Sequence, residues 1–431
     1  MKLEPTICYN ALLSRDARFD GKFYIAVGTT GVYCRPICPA PTALQKNCTF
    51  YPTAATAEKA GYRPCLRCFP ESSPAFISSG ISSELVLKAI RYIDENETEQ
   101  TSTASIAEVL GISSRHLRRL FEENLGVSPM QLIKTRRVQL AKKLLNETSL
   151  PMSKIAFVAG FPSIAQFNAE VKKTYGRTPS ALRNIRKVAN DAGGLSIKLF
   201  YRPPLNWQQI QDYFGPRLIT GVECFRGGRY QRLLKLGGTY GVIEVAHDPA
   251  FDYLTLTVPA DFWQYLQLII RKVRELFDLD ADTQGIADDL SADKNIEKIV
   301  SANSGVRLLG AWDFYELSIR AIVGQQITVA GAATLTARLI QSLGKRVDMD
   351  LPEGLCGMFP NPDCVAGADL EKLGFTKARA ETLRRFSQSY LDGALQFERS
   401  VGRQQVLEQL TSLKGIGDWT ANYIAMRALR E

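Results

Sequence analysis

Hydrophobic positions along this 431-residue chain change their spacing several times, and each change marks a different kind of element. The first apolar run, FYIAVGTTGVYC from Phe23 to Cys34, predicts a strand, and NCTFYP over 47–52 a second one. TAATAEKAGYRPCLRC, from Thr53 to Cys68, reads as a short helix leading into a second pair of cysteines. Helical spacing starts at ELVLKAIRYIDEN and then recurs as a repeat. SIAEVLGISSRHLRRLFEENLGVSP runs from Ser105 to Pro129, and KIAFVAGFPSIAQFNAEVKKTYGRTP from Lys154 to Pro179. Each copy predicts a helix, a turn at Gly111 or Gly160, and a second helix capped by Ser113 or Ser163. The helix QLIKTRRVQLAKKLL joins them and is strongly basic. From 195 short strand-like runs return (SIKLFYRP, ITGVECFRGG, GVIEVAHD, DYLTLTVP), with GGRYQRLLKLGGTYG as a hairpin. Two helical stretches, NWQQIQDYFG and FWQYLQLIIRKVRELFD, lie among them. From 294 the pattern is helical to the end, closing on LKGIGDWTANYIAMRAL.

Composition bounds the class. Hydrophobic content of 45% and charged content of 23% are those of a globular protein. No apolar run is long enough to span a bilayer, which excludes a membrane-embedded partner surface. The N-terminus MKLEPTICYNALLSRD has no secretory core or cleavage site, so a cytoplasmic protein is expected. The net charge of +9 is uneven: residues 1–190 hold 26 Lys and Arg against 15 Asp and Glu, the remainder 27 against 29. A basic front half points to a polyanion, nucleic acid by default.

The cysteines narrow this further. Cys34 and Cys38 form C-x3-C, and Cys65 and Cys68 form C-x2-C. Two close pairs in a reducing compartment are the pattern of a tetrahedral Zn²⁺ site. So short a segment has little core of its own, and metal would complete it. Cys8, Cys48, Cys224, Cys356 and Cys364 show no pairing pattern, and His116 and His247 are expected to be structural. Taken alone, the cluster fits either a purely structural zinc or a reactive thiolate.

The flanking residues D-G-K-F, V-G-T-T-G-V-Y-C-R-P-I-C-P-A and A-G-Y-R-P-C-L-R-C, over most of residues 16–70, resemble the N-terminal domain of the Ada family of alkylation-response proteins. The resemblance implies that Cys34 accepts a methyl group from a DNA methylphosphotriester, with Cys38, Cys65 and Cys68 as its fellow zinc ligands. Arg35, Arg63 and Arg67 stand beside the sulfurs as expected DNA contacts. No P-C-H-R motif of a second methyl acceptor occurs. The repeat over 84–187 resembles the twin helix-turn-helix of the AraC family, whose second helices enter the major groove. That makes Ser114, Arg115, Arg118 and Arg119, then Ser163, Gln166 and Asn168, expected contacts. Two half-motifs in one chain let a monomer read DNA, and an activator role adds RNA polymerase as a partner.

Residues 195–431 resemble the AlkA family of DNA-3-methyladenine glycosylases, through R-A-I-V-G-Q-Q and G-I-G-D-W-T-A-N-Y. The resemblance implies base flipping into an aromatic pocket lined by Trp419, Tyr423 and Tyr213. It also makes Gln326 the wedge and Gly415 and Gly417 a phosphate grip. The family's catalytic aspartate, in a P-D-x-F-P-x-x-D run, falls beyond Glu431, and Asp418 is not assigned its role. No base excision is therefore expected of these residues by themselves. The predicted fold is a multidomain α+β chain. It comprises a small zinc-bound α/β domain (1–75), an all-α double helix-turn-helix (84–187), an α+β sheet domain (195–285) and an all-α helix-hairpin-helix domain (294–431). SSPAFISSGISS and ANDAGG are the expected linkers. Two rival readings remain: a transcription regulator whose zinc is only structural, and a glycosylase that its front half delivers to DNA.

Overall fold

The computed structural model describes residues 4–74, 83–96, 101–183, 194–397 and 402–429. Most of SSPAFISSGISS and nearly all of ANDAGG lie outside the described residues.

The first unit is built on a four-stranded sheet. Its strands are β1 (Tyr24–Val27), β2 (Val32–Cys34), β3 (Cys48–Tyr51) and β4 (Arg63–Pro64), in the order β3-β1-β2-β4. The single strand expected over 23–34 is therefore an antiparallel hairpin, with Ile25 opposite Cys34. It turns at Gly28–Gly31, where Gly31 takes a left-handed φ of 65°. Parallel pairing of β2 with β4 sets Tyr33 against Pro64, and the Cys65 amide donates to the Tyr33 carbonyl at 2.9 Å. That register brings the two cysteine pairs together. Helix α1 (Pro5–Ser14), which the hydrophobic pattern did not reveal, packs Cys8, Ala11 and Leu12 on Phe23 and Ile25. Helix α2 (Ala54–Lys59) starts at Thr53, whose hydroxyl and that of Thr56 form a reciprocal capping box.

Helix α3 (Glu84–Glu95) precedes the repeat. The first half is α4 (Thr103–Val109) and α5 (Ser114–Leu125). The basic connector is α6 (Pro129–Glu147), and the second half is α7 (Met152–Val158) and α8 (Ile164–Tyr175), followed by the short α9 (Pro179–Leu182). The repeat reads directly onto the structure. Ser113 and Ser163 accept from the amides of His116 and Gln166, and Gly111 and Gly160 have φ of 65° and 78°. Each second helix buries one stripe: Leu117, Phe121 and Leu125 in α5, and Phe167, Val171 and Tyr175 in α8.

Five antiparallel strands form the second sheet: β5 (Gly194–Phe200), β6 (Glu223–Arg226), β7 (Arg229–Leu236), β8 (Thr239–His247) and β9 (Tyr253–Pro259). Their order is β5-β9-β8-β7-β6. Helices α10 (Trp207–Phe214) and α11 (Leu266–Leu276) close on this sheet. His247 is structural as expected: its Nε2 lies 3.0 Å from the Tyr201 hydroxyl, and its ring stacks on Trp207. The helical region holds α12 (Thr283–Leu290), α13 (Glu297–Ala302), α14 (Phe314–Val323), α15 (Val329–Leu343), α16 (Pro362–Ala366), α17 (Lys377–Leu391), α18 (Arg403–Thr411) and α19 (Asp418–Ala428).

The cores cross the expected boundaries. Val138, Phe161 and Phe167 of the second helix-turn-helix half share one buried cluster with Leu195, Tyr230, Leu256 and Leu309. The sheet's packing thus reaches past residue 285 to Leu309. Ala55 of α2 sits in the core of the first helix-turn-helix half, beside Leu117 and Phe121. Phe167 is fully buried, so its loss would cost about 3–5 kcal/mol. A separate cluster, with Tyr315, Ile322, Leu383 and Ile424, fills the helical region.

Candidate metal centre and nucleic-acid interface

The sulfurs of Cys34, Cys38, Cys65 and Cys68 all lie within 4.8 Å of one another, and each cysteine is buried. Tetrahedral ligation with Zn–S bonds of about 2.3 Å needs sulfurs about 3.8 Å apart, so the donor set fits. Hydrogen-bonding with Cys34 first, and with Cys68, holds the Cys38 thiol down at about 7. The Cys34 and Cys68 thiols are driven above the ordinary range by bonds to the neighbouring sulfurs. Four thiolates this close repel one another, and only a bound cation lets all of them ionise.

The four sulfurs are not equivalent. The Arg35 amide donates to Cys68 Sγ at 3.4 Å, and the Arg67 amide to Cys65 Sγ at 3.4 Å. Among the described residues no backbone amide donates to the sulfur of Cys34 or of Cys38. An N–H donor stabilises the thiolate it touches and dulls it as a nucleophile, so Cys34 and Cys38 are less quenched than Cys65 and Cys68.

The flanking arginines divide. Arg63 and Arg67 are exposed near the cluster, as a DNA-facing role requires. Arg35 is only 4% exposed, which corrects its expected role as a DNA contact. Its guanidinium is paired with Asp20, donates to the Cys68 carbonyl at 3.2 Å and lies 5.5 Å from the Phe200 ring centre. A buried guanidinium needs such a partner, and that partner takes it away from the surface.

On α5, Arg115, Arg118 and Arg119 are exposed opposite the buried stripe, and Ser114 is half-buried. Arg119 also makes a loose surface pair with Glu123 at 3.8 Å. On α8, Gln166 and Asn168 are exposed, whereas the Ser163 oxygen is committed to capping the helix, leaving its O–H to donate.

A cleft of about 390 Å³ opens between the sheet unit and the helical region. Trp419 and Tyr423 stack with centroids 5.5 Å apart and rings 8° from parallel, and Trp419 is 73% exposed at the rim. Tyr213 faces them, its hydroxyl pushed up to about 12 by burial and by Tyr423. Arg217 and Arg427 lie 4.3 and 4.5 Å from its ring. Sequence reasoning missed both arginines. The signal was there for Arg427, since Trp419, Tyr423 and Arg427 recur every four residues along α19. Gln326 is exposed, with a left-handed φ of 55°, at the turn between α14 and α15. A non-glycine residue there carries strain of about 1–2 kcal/mol. Neighbouring Gln325 ties that turn to the α18–α19 hairpin, donating to the Gly415 carbonyl at 3.0 Å and to Thr420 Oγ1 at 3.1 Å. In the hairpin, Ile416 is buried while Gly415 and Gly417 are exposed. Gly415 has φ of 102°, and a Cβ there would meet Thr382 Oγ1 at 2.0 Å. Gly417 faces open space as the N-cap of α19.

Three family descriptions match in order: the metal binding domain of Ada over residues 7–71, a helix-turn-helix domain over 106–185 and the AlkA N-terminal domain over 196–313. The probable bifunctional transcriptional activator/DNA repair enzyme AlkA of Mycobacterium tuberculosis is 35% identical over 427 residues, 98% of this chain and 86% of that protein. The chain belongs to the Ada/AlkA family of bifunctional transcriptional activators and DNA repair enzymes. Its parts also have separate relatives. DNA-3-methyladenine glycosylase 2 of Escherichia coli is 34% identical over 53% of this chain and 79% of its own length. Escherichia coli Ada, a bifunctional transcriptional activator/DNA repair enzyme, is 36% identical over 41% of this chain and 48% of its own length. Within this Ada/AlkA chain the four-cysteine cluster is a zinc site, and the repeat is a DNA-binding element. No helix among the described residues is long and apolar enough to cross a membrane.

Proposed function

We propose that Cys34 is the stoichiometric acceptor of a methyl group from a DNA methylphosphotriester, and that the methylated chain activates transcription through its two helix-turn-helix halves. The carrying observation is the asymmetry of the cluster: Cys65 and Cys68 each hold an amide donor, and among the described residues Cys34 holds none. Bound zinc supplies the charge that keeps the sulfurs ionised at neutral pH. The Cys34 thiolate attacks the methyl carbon, an S–C bond forms, the methyl C–O bond breaks, and the phosphodiester leaves as an anion. The negative charge passes from sulfur to phosphate, so no proton need move.

The electrostatics set both selectivity and consequence. With Zn²⁺ held by Cys34, Cys38, Cys65 and Cys68, four thiolates would give the centre −2, which would repel an ordinary phosphate but not a neutral phosphotriester. Once Cys34 is a neutral thioether the centre would carry −1 and repel the DNA backbone less. Arg63 and Arg67 contact the backbone near the cluster. Arg115, Arg118, Arg119, Gln166 and Asn168 read the two groove segments, with Ser114 and Ser163 at the helix starts. One chain binds as a monomer, and RNA polymerase is the partner of the activated complex.

The cleft receives an extruded alkylated base: Trp419 and Tyr423 offer a stacked face, Gln326 fills the gap in the duplex, and Gly415 and Gly417 hold a phosphate. No carboxylate lines the cleft among the described residues. The reading is tested by titrating one promoter duplex with the protein before and after reaction with methylphosphotriester DNA. Tighter binding after methylation, with both states responding to salt, is expected. Equal affinity would contradict the switch.

A further inference from the structure

The acceptor is braced from a distant part of the chain. Arg202 lies just past β5 and is 1% exposed. Its Nε donates to the Asp20 carbonyl at 2.9 Å, across 182 residues of sequence. The Asp20 carboxylate accepts from Arg35 Nε at 2.9 and 3.1 Å and from Ser73 Oγ at 3.3 Å. Arg35 then reaches the Cys68 carbonyl with its side chain and Cys68 Sγ with its amide. Arg202 is itself held from behind, its second arm on the Asp280 carbonyl at 2.9 Å and its own carbonyl bonded by Arg307. A second tie, between Lys22 and Asp282, pins the same two surfaces. The Phe200 ring covers the Arg35 guanidinium from the sheet side.

From this chain of contacts we infer that Arg202 is a positioning residue for methyl transfer. Through Asp20 and Arg35 it holds an amide on Cys68 and so keeps that sulfur from competing with Cys34. The inference rests on the methyl-acceptor reading. The zinc site already has its own sheet and helices, so packing alone does not call for a buried arginine borrowed from the glycosylase-like half. What the arginine adds is direction. It fixes the loop at Asp20, Asp20 fixes the Arg35 side chain, and residue 35 is the one whose amide quenches Cys68. A cavity of about 120 Å³ lined by Asp20, Arg35 and Phe200 gives that guanidinium room to swing once its anchor is lost.

The test compares the full chain with its Arg202→Met and Arg35→Met variants, each reacted with methylphosphotriester DNA and then peptide-mapped by mass spectrometry. In the native chain the methyl sits on Cys34 alone. In Arg202→Met the overall rate falls about tenfold, the worth of one hydrogen bond to a buried charged network. A measurable share of the methyl then moves to Cys68, and Arg35→Met moves more. A second readout needs no DNA: release of zinc to a chromophoric chelator speeds up in both variants, at unchanged zinc stoichiometry. Native rate, native regiochemistry and native chelator release in Arg202→Met would overturn the brace. So would a slower rate with all of the methyl still on Cys34, since that is a general weakening rather than lost direction. If the native chain takes up no methyl at all, the acceptor reading fails, and chelator release alone then decides whether Arg202 braces the zinc site.

Discussion

At the scale of single residues, the chemistry lies in small asymmetries. Cys34 and Cys68 are equally buried and lie in one cluster, yet they differ by one amide donor. The four cysteines were legible because spacing alone brings two pairs together. The burial of Arg35 was not, because its partner Asp20 is 15 residues away and its cover, Phe200, is supplied by another domain. Replacing Asp20 by Asn leaves a buried guanidinium without its counter-charge. A loss of about 3–5 kcal/mol in stability is expected, measured by denaturant unfolding of the zinc-loaded protein. Trp419 makes the opposite case. Being largely exposed, its change to Ala should leave stability within about 0.5 kcal/mol. The same change should weaken binding to duplexes carrying an extruded base by about 1–3 kcal/mol. Fluorescence of a base analogue at the flipped position reads that difference.

At the scale of elements, the repeat was the most legible feature, since two copies of one pattern carry the same serine caps and the same glycine turns. The hydrophobic pattern over 23–34 carries no break between the two strands, since Thr29 and Thr30 are themselves strand formers. Only the left-handed Gly31 shows where the chain reverses. The closing hairpin was read from its glycines, but their reasons differ. Gly415 lies against Thr382, whereas Gly417 has open space. Gly415→Ala should therefore distort the hairpin and weaken lesion-independent DNA binding, while Gly417→Ala folds normally. Thermal unfolding and filter binding on the two variants separate these outcomes. On α5, Arg118→Ala should weaken DNA binding and, if the residue touches phosphate, reduce the salt slope by about one.

At the scale of the whole molecule, the sequence boundaries hide how tightly the units are joined. The zinc unit meets the first helix-turn-helix half through Ala55, and through Glu58, which accepts from Tyr33 at 3.0 Å and from Thr135 of α6 at 2.6 Å. Tyr33 directly precedes Cys34, so this carboxylate is a bonded path from the acceptor to α6, the helix that joins the two halves. Glu58→Gln replaces one of the two acceptor oxygens with an N–H donor, so one of the hydroxyls must turn and the charge is lost. It should leave methyl uptake unchanged while shrinking the methylation-dependent gain in DNA affinity, measured on the same promoter duplex. Contacts of this kind cannot be read from periodicity, because each joins surfaces that local pattern leaves polar and unremarked.

The methylation switch depends on one sulfur, Cys34, being the acceptor. The most direct measurement is peptide mapping by mass spectrometry after incubating the zinc-loaded chain with DNA carrying a single methylphosphotriester. One methyl group per chain, on Cys34, is the predicted result. A methyl group on Cys38, Cys65 or Cys68 in the native chain, or none at all, would contradict it.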